Sequence, residues 1–348
     1  YTKSFLIGSE TGTTKFEAAQ AARILNKLGY LVTIVHRSYK DTLQFKYDLF
    51  YGLAIGGSGQ NFKYYFDQIP DDSIKIALST GPNDEITNQK FDERINYFKK
   101  RHGRELHTTS RTLIKPFNNL INQCDALFYH GNDIVYEGYN MLEIPKYKLP
   151  TPIRDSIKTN FQSFNQKFRH RNNFLFYSGG GVFTKGLDLI IDSFLELPDF
   201  NLFISVLSHE KEFFKFYDDK IKKSPNIQYL GEIRSDSEEM VAITNKCSFV
   251  ISGSFRDGDP AAIMECMRYG LVPIITRETD ILFKDAIIFK DYNIKNIKAG
   301  LQSANKIKKK KYTQLSMESY VASLKNYSNN YSVCLEEAFC NTIINRSK

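Results

Sequence analysis

No apolar run in this 348-residue chain approaches the ~18–20 residues that a membrane-spanning helix needs; the longest strand-like runs are about eight residues. Nor does the start carry a charged stretch followed by an apolar core, so no secretory signal is visible. The chain opens on Tyr1 rather than Met, which points to a processed or cut-down product. Cysteine is sparse: Cys124, Cys247, Cys266, Cys334 and Cys340 include no CxxC pair. The closest two, Cys334 and Cys340, have no second pair and no nearby His. That spacing argues against a zinc site and against a disulfide framework. Buried free thiols in a reducing compartment are the expectation.

What the chain does contain is a globular mix, 42% hydrophobic and 25% charged, which excludes a wholly disordered protein. Its length predicts two domains, each large enough to bury a core. Lys plus Arg number 47 against 39 Asp plus Glu, a net charge of +8. That balance suits phosphates or a membrane surface, and equally a solvated lysine-rich surface. Charge alone decides nothing. No nucleic-acid motif accompanies it, so no nucleic-acid partner is expected.

The first residues read as strand (4–8), turn, helix (16–28, stopped by Gly29) and strand (30–35), a βαβ unit and hence a parallel sheet. Further strands are predicted at 48–55, 74–78 and 126–129, with a charge-rich helix over 88–101. Pro145, Pro150 and Pro152 then fall in a polar stretch that marks a boundary. Alternation restarts with strands at 174–177, 201–206, 227–230, 249–252 and 272–276 and helices at 187–195 and 261–269. The predicted fold is α/β, with two doubly wound halves: an N-terminal domain over 1–150, a linker over 151–172, a second domain over 173–325 and a helical segment over 326–348. Lys308, Lys309, Lys310 and Lys311 form a run that suits either docking on an anionic membrane surface or a solvated helix end.

Chemistry concentrates in two loops. Gly179, Gly180 and Gly181 follow a strand, and Lys185 and Gly186 precede a helix. Such a turn exposes backbone N–H groups, and Lys185 adds a point charge for phosphate. It is not a P-loop, because Thr184 rather than Gly precedes the lysine, and it lacks the dinucleotide spacing. A ligand-free tight turn explains it as well. The second loop, 252–260, is more specific. Asp259 fits an N-cap and Pro260 a first helical turn, while Gly270 fits the helix end. A helix N-terminus reached from a glycine loop attracts anions. Asp257 and Glu265, with seven residues between them, put one carboxylate in the loop and one inside the helix. Carboxylates suit sugar or ribose hydroxyls, which donate hydrogen bonds.

With these motifs in order, about 70 residues apart, residues 174–281 resemble the C-terminal domain of a GT-B glycosyltransferase of the retaining group called family 4, or glycosyltransferases group 1. Asp257 to Glu265 matches that family's carboxylate pair, with Asp where Glu is more usual. The Ser224-Pro225-Asn226-Ile227 stretch ending at Gly231, and Gly270-Leu271-Val272-Pro273, resemble two of its strand signatures. The first half is more loosely similar to bacterial surface-polysaccharide transferases, through Ser79-Thr80-Gly81-Pro82 and the basic helix with Arg94, Arg101, Arg104 and Arg111.

The resemblance implies two domains facing across a cleft and transfer of a sugar, with retention, from a nucleotide-diphosphate donor to a glycan or lipid-linked acceptor. It implies a cytoplasmic protein, at the membrane's inner face where the acceptor is lipid-linked. The nucleotide sugar is a co-substrate; no metal and no resident cofactor are expected. Lys185 would hold the diphosphate, with Gly179, Gly180 and Gly181 beside it. Gly258, Asp259, Pro260 and Ala261 would face phosphate or sugar, Asp257 the sugar hydroxyls, Glu265 the ribose, and Glu232 and Ile233 the base. Thr11, Gly12, Gly57 and Ser58 would form acceptor-side loops. Two departures stand out: Gly180 replaces a frequent Arg, with Arg256 or Arg277 as substitute cations, and the 79–84 loop lacks the His common in relatives. Of the six histidines, His130 and His209 follow strands and are the ones that could face a cleft. A nucleotide-sugar epimerase and a non-catalytic sugar-binding domain are the alternatives.

Overall fold

The computed structural model describes residues 13–35, 40, 42–54, 59–106, 118–131, 133–157, 164–206, 210–279, 281, 283–326 and 328–346. The chain divides into two compact units. One comprises Tyr1–Asn88, Leu113–Arg154 and Asn326–Lys348; the other comprises Gln89–Thr112 and Asp155–Lys325.

The first unit holds a four-stranded parallel sheet in the order β1 (Leu49–Leu53), β2 (Ile74–Ser79), β3 (Ala126–His130), β4 (Lys146–Leu149). Strand periodicity sends alternate residues to opposite faces. Ile76, Leu78, Ala126 and Phe128 meet α1 (Thr13–Lys27) and the C-terminal helix Ser328–Arg346, while Ala77, Leu127 and Tyr129 meet α2 (Gly59–Phe66). The C-terminal helix therefore completes this unit's core, with Tyr331, Leu335 and Phe339 fully buried. The expected strand at 4–8 lies outside the described residues. The expected strand at 30–35 does not form. Its alternating exposure is present, with Leu31 97% exposed, but no ladder partner flanks it among the described residues.

The second unit holds a six-stranded parallel sheet, in the order β10-β9-β8-β5-β6-β7. These are β5 (Asn173–Ser178), β6 (Asn201–Val206), β7 (Ile227–Gly231), β8 (Phe249–Ser252), β9 (Val272–Ile275) and β10 (Ile287–Ile288). All pairings are parallel. Phe174, Leu175, Phe176, Phe249, Val250 and Ile251 are buried to within 1%, as strands covered by helices on both faces require. The connecting helices are α4 (Leu187–Leu195), α5 (Lys211–Lys223), α6 (Glu238–Asn245), α7 (Ala261–Arg268), α8 (Ile294–Asn305) and α9 (Lys309–Ser323). The chain builds β5, β6 and β7 outward, then returns to place β8 on the other side of β5. That reversal is a topological switch point, where open α/β sheets bind ligands at the carboxyl ends of their strands.

Candidate functional site

Both glycine motifs leave the carboxyl ends of the two strands that flank the switch point. The register pairs Phe174 with Phe249 and Leu175 with Val250, so the loops after Ser178 and Ser252 emerge side by side. In the first loop Gly181 takes φ +71°, and its carbonyl accepts both the Thr184 hydroxyl at 2.7 Å and the Lys185 N–H at 2.9 Å. Gly179 is exposed and Gly180 half-buried, and a Cβ on either would meet open space.

Gly186 is different. It caps α4 at φ +75°, and a Cβ there would sit 2.2 Å from the Gly253 carbonyl oxygen. Only a glycine permits the two backbones to touch at this point. They are stitched together: Gly253 N–H donates to Lys185 O at 3.0 Å, Phe255 N–H to Thr184 O at 3.3 Å, and the Ser254 hydroxyl to Thr184 O at 3.2 Å. Thr276, at the end of β9, donates to Ser254 O from the other side.

This frame brings Lys185 and Asp257 into an ion pair, Nζ to Oδ2, with side chains 15% and 12% exposed. The second loop then enters α7, where the structure corrects the expected cap. Pro260, extended at φ −70° and ψ 118°, is the N-cap, and no side chain caps it. Asp259 stands one residue earlier at φ +43°, a left-handed conformation that a short polar side chain tolerates at some cost. The amides of half-buried Ala261 and Ala262 precede the first intrahelical donors, Ile263 and Met264, which both bond Pro260 O. At the other end Gly270, at φ +77°, closes the helix: Gly270 N–H bonds Met267 O and Leu271 N–H bonds Cys266 O.

Glu265 lies inside α7 and is 9% exposed. Its neighbour Tyr269 donates to Ser235 O at 2.7 Å, which ties α7 to the loop after β7. Burial raises the Tyr269 hydroxyl above the usual tyrosine range, with Cys266, Glu265 and Asp236 adding to the effect. Glu265 and that loop therefore share one electrostatic neighbourhood. The loop is pinned on its other side, where Tyr177 donates to Ile233 O at 2.9 Å and Ile233 N–H donates to Ser205 Oγ at 3.1 Å. Glu232 is exposed and Ile233 half-buried. Thus Gly179, Gly180, Gly181, Lys185, Glu232, Ile233, Asp257, Gly258, Asp259, Pro260 and Ala261 lie on loops or a helix start at the carboxyl edge of one sheet, and Glu265 lies one turn further into α7.

Other sequence candidates fall elsewhere. Thr11, Gly12, Gly57 and Ser58 lie outside the described residues, as do His36, His107 and His209. His130 is a core residue of the first unit. Its Nδ1 bonds Leu149 O at 3.1 Å, its Nε2 lies 3.4 Å from Glu17, and burial lowers its pKa to about 4. Arg277 is exposed, whereas Arg256 is 7% exposed beside Asp257. Among the described residues no group of three or more His, Cys, Asp or Glu side chains could hold a metal ion. No described helix is long and apolar enough to cross a membrane.

Sequence reasoning missed the support beneath the first loop. Asp188, in the first turn of α4 and fully buried, takes Arg94 at 2.7 Å and Arg101 on its other oxygen. Asp192, one turn on, takes Arg101 and, at 2.9 Å, His102. Both arginines belong to α3 (Asp84–His102), whose residues from Gln89 onward lie in the second unit. The Arg94 guanidinium sits 5.4 Å from the Phe183 ring and 5.9 Å from that of Phe255, one aromatic from each loop. The sequence signal was the seven-residue spacing of Arg94 and Arg101, and of Phe91 and Phe98, which places all four on one helix face.

Comparison with known proteins follows the same division. Residues 158–320 match the family model described as glycosyl transferases group 1. No curated protein matches the chain by sequence. Among solved structures, sucrose-phosphate synthase from Thermosynechococcus elongatus superposes with a TM-score of 0.63 at 10% identity, covering 98% of this chain and 79% of that one. Anabaena HepE, in complex with UDP and glucose, gives 0.57 at 11% identity over 86% and 78%. An S. aureus TarM mutant, in complex with fondaparinux, alpha-GlcNAc-glycerol and UDP, gives 0.54 at 13% identity over 83% and 54%. The chain thus spans about half the length of TarM. These likenesses establish an α/β fold of the GT-B kind.

Proposed function

We propose, on the match of residues 158–320 to the family model of glycosyl transferases group 1, that the protein transfers a sugar, with retention of anomeric configuration, from a nucleotide-diphosphate donor to a glycan or lipid-linked acceptor. The observation that carries the reading is the Lys185–Asp257 pair, formed where two stitched loops leave the switch point.

In this reading the donor diphosphate takes Lys185 from its carboxylate partner. One anion replaces another at the ammonium, and Asp257 is released to accept hydrogen bonds from sugar hydroxyls. The backbone N–H groups of Gly258, Asp259 and Ala261, around the start of α7, stabilise negative charge that builds on the leaving diphosphate. Glu265 accepts from the ribose, and the loop at Glu232 and Ile233, tied to α7 through Tyr269, faces the base. Thr11, Gly12, Gly57 and Ser58 are assigned to the acceptor. The nucleotide sugar is co-substrate, and the proposal uses neither metal nor cofactor. Five free cysteines, three of them buried, support a cytoplasmic setting. The solved complexes of HepE and TarM with UDP make UDP the first nucleotide to test.

Calorimetric titration with UDP, GDP and ADP tests the assignment. Lys185→Ala and Glu265→Ala should each abolish or strongly weaken binding of the preferred nucleotide. Unchanged affinity in both variants would remove these residues from the site.

A further inference from the structure

The second unit carries a basic surface that the proposed transfer chemistry does not use. Lys306, Lys308, Lys309, Lys310 and Lys311 are all exposed, at the entry to α9. Two contacts flank them. Asn305 donates to Asn172 at 2.5 Å, and the Tyr312 ring packs 5.7 Å from that of Phe168. These contacts set the lysine run beside the segment Phe168–His170 and Arg171, where Arg169 and Arg171 are also exposed. None of the seven basic side chains makes an ion pair among the described residues. The sequence holds no Asp or Glu over 156–187 or 292–317.

Two further features qualify this surface. Three lysines open the first turn of α9, where the helix macrodipole disfavours cations and no acidic residue offsets them. Local helix stability therefore does not account for their placement. Along the same helix Lys310, Gln314, Met317 and Val321 follow a 4-3-4 spacing and share one face. Met317 is 49% exposed and Val321 53% exposed. Cations at one end of an outward stripe and apolar side chains along the rest fit a bilayer interface, where headgroups meet acyl chains.

We propose that this face docks on an anionic lipid surface, with the lysines and arginines at the headgroups and Met317 and Val321 entering the interface. The inference deepens the proposed function, on which it rests only for its consequence: of the two acceptor classes, it selects the lipid-linked one. A nucleic acid or other soluble polyanion would engage the charges but gain nothing from Met317 and Val321.

Sedimentation of the full chain with vesicles tests it, using phosphatidylcholine alone and phosphatidylcholine with 30% phosphatidylglycerol. No nucleotide or acceptor is added, so the result stands apart from any failure of the transfer reading. Binding is expected only with the anionic lipid and should weaken in high salt. Each basic residue at such a surface contributes about fivefold. The quadruple change Lys308→Gln, Lys309→Gln, Lys310→Gln and Lys311→Gln should therefore lower binding about 100-fold or more. Met317→Ser with Val321→Ser should lower it severalfold at constant charge. Equal binding to both vesicles, binding to neither, or an unaffected quadruple variant would overturn the proposal. So would unchanged vesicle binding by the Met317 and Val321 variant together with equally tight binding of the unaltered chain to duplex DNA.

Discussion

A methyl group at Gly186 should do what a methyl group at Gly180 does not, although both glycines belong to one loop. At Gly186 an alanine must hold φ +75°, which costs about 1 kcal/mol. Its Cβ would also stand 2.2 Å from Gly253 O and 2.5 Å from the carbonyl carbon, backbone atoms fixed by the Gly253–Lys185 hydrogen bond. Relief requires moving the loops apart, and overpacking of that kind costs about 1–3 kcal/mol. The sum, about 2–4 kcal/mol, corresponds to a fall in Tm of about 5–15 °C for a unit of this size. Because the stitched loops carry Lys185 and Asp257, nucleotide affinity should fall with stability. Gly180→Ala is the control: nothing lies within 4 Å of its Cβ, so melting temperature should stay within about 2 °C of wild type. Thermal melts followed by circular dichroism, with nucleotide titration of the surviving fold, read both effects. Equal melting temperatures for the two variants would refute the close approach of the loops, and with it the frame proposed for the site.

Two other outcomes follow from the same structure. A Cβ at Gly180 would meet nothing within 4 Å, and the resemblance to group 1 glycosyltransferases expects arginine there, so Gly180→Arg should tighten nucleotide-diphosphate binding by about tenfold, as one added charged hydrogen bond would; calorimetry reads the change. In the first unit, burial raises Glu17 to about 8 while His130 falls to about 4. The folded state then keeps a proton on Glu17 that the unfolded chain releases above about 4.5, and refuses one on His130 that the unfolded chain takes up below about 6.5. The opposing slopes cancel between those values, so stability should decline from about pH 6.5 to 8 by about 2 kcal/mol, and Glu17→Gln should flatten that decline in urea titrations.

Much of the second unit was legible because its signals are local. The helix at 187–195 follows from Leu187, Ile190, Ile191 and Phe194 at helical spacing, and Gly270 marks the end of α7 by its left-handed backbone. Asp259 misled because aspartate favours the N-cap, whereas the fixed φ of Pro260 let proline take that place. The segment 30–35 misled differently: alternation predicts a strand face but not a partner to pair with. The Arg94–Asp188 and Arg101–Asp192 pairs were beyond reach, since helix spacing identifies a face and says nothing of carboxylates some 90 residues away. The same applies to the C-terminal helix, whose Tyr331 and Phe339 find their core partners in β1 and β3.

That two motifs about 70 residues apart form one site follows from strand order rather than from their distance in sequence. The elements between them, α4, β6, α5, β7 and α6, lie to one side of β5 or over the faces of the sheet, and β8 then returns to β5's free edge. The length of the excursion is immaterial to the geometry, provided β8 returns in register with Phe174 and Leu175. The residues between Ser252 and Asp257 have no such freedom. Gly253, Ser254 and Phe255 each bond a fixed carbonyl of the first loop, so one added residue would carry Asp257 past Lys185. Added length should therefore not be tolerated at 253–256, which makes the short loop the part of the sequence that specifies the site.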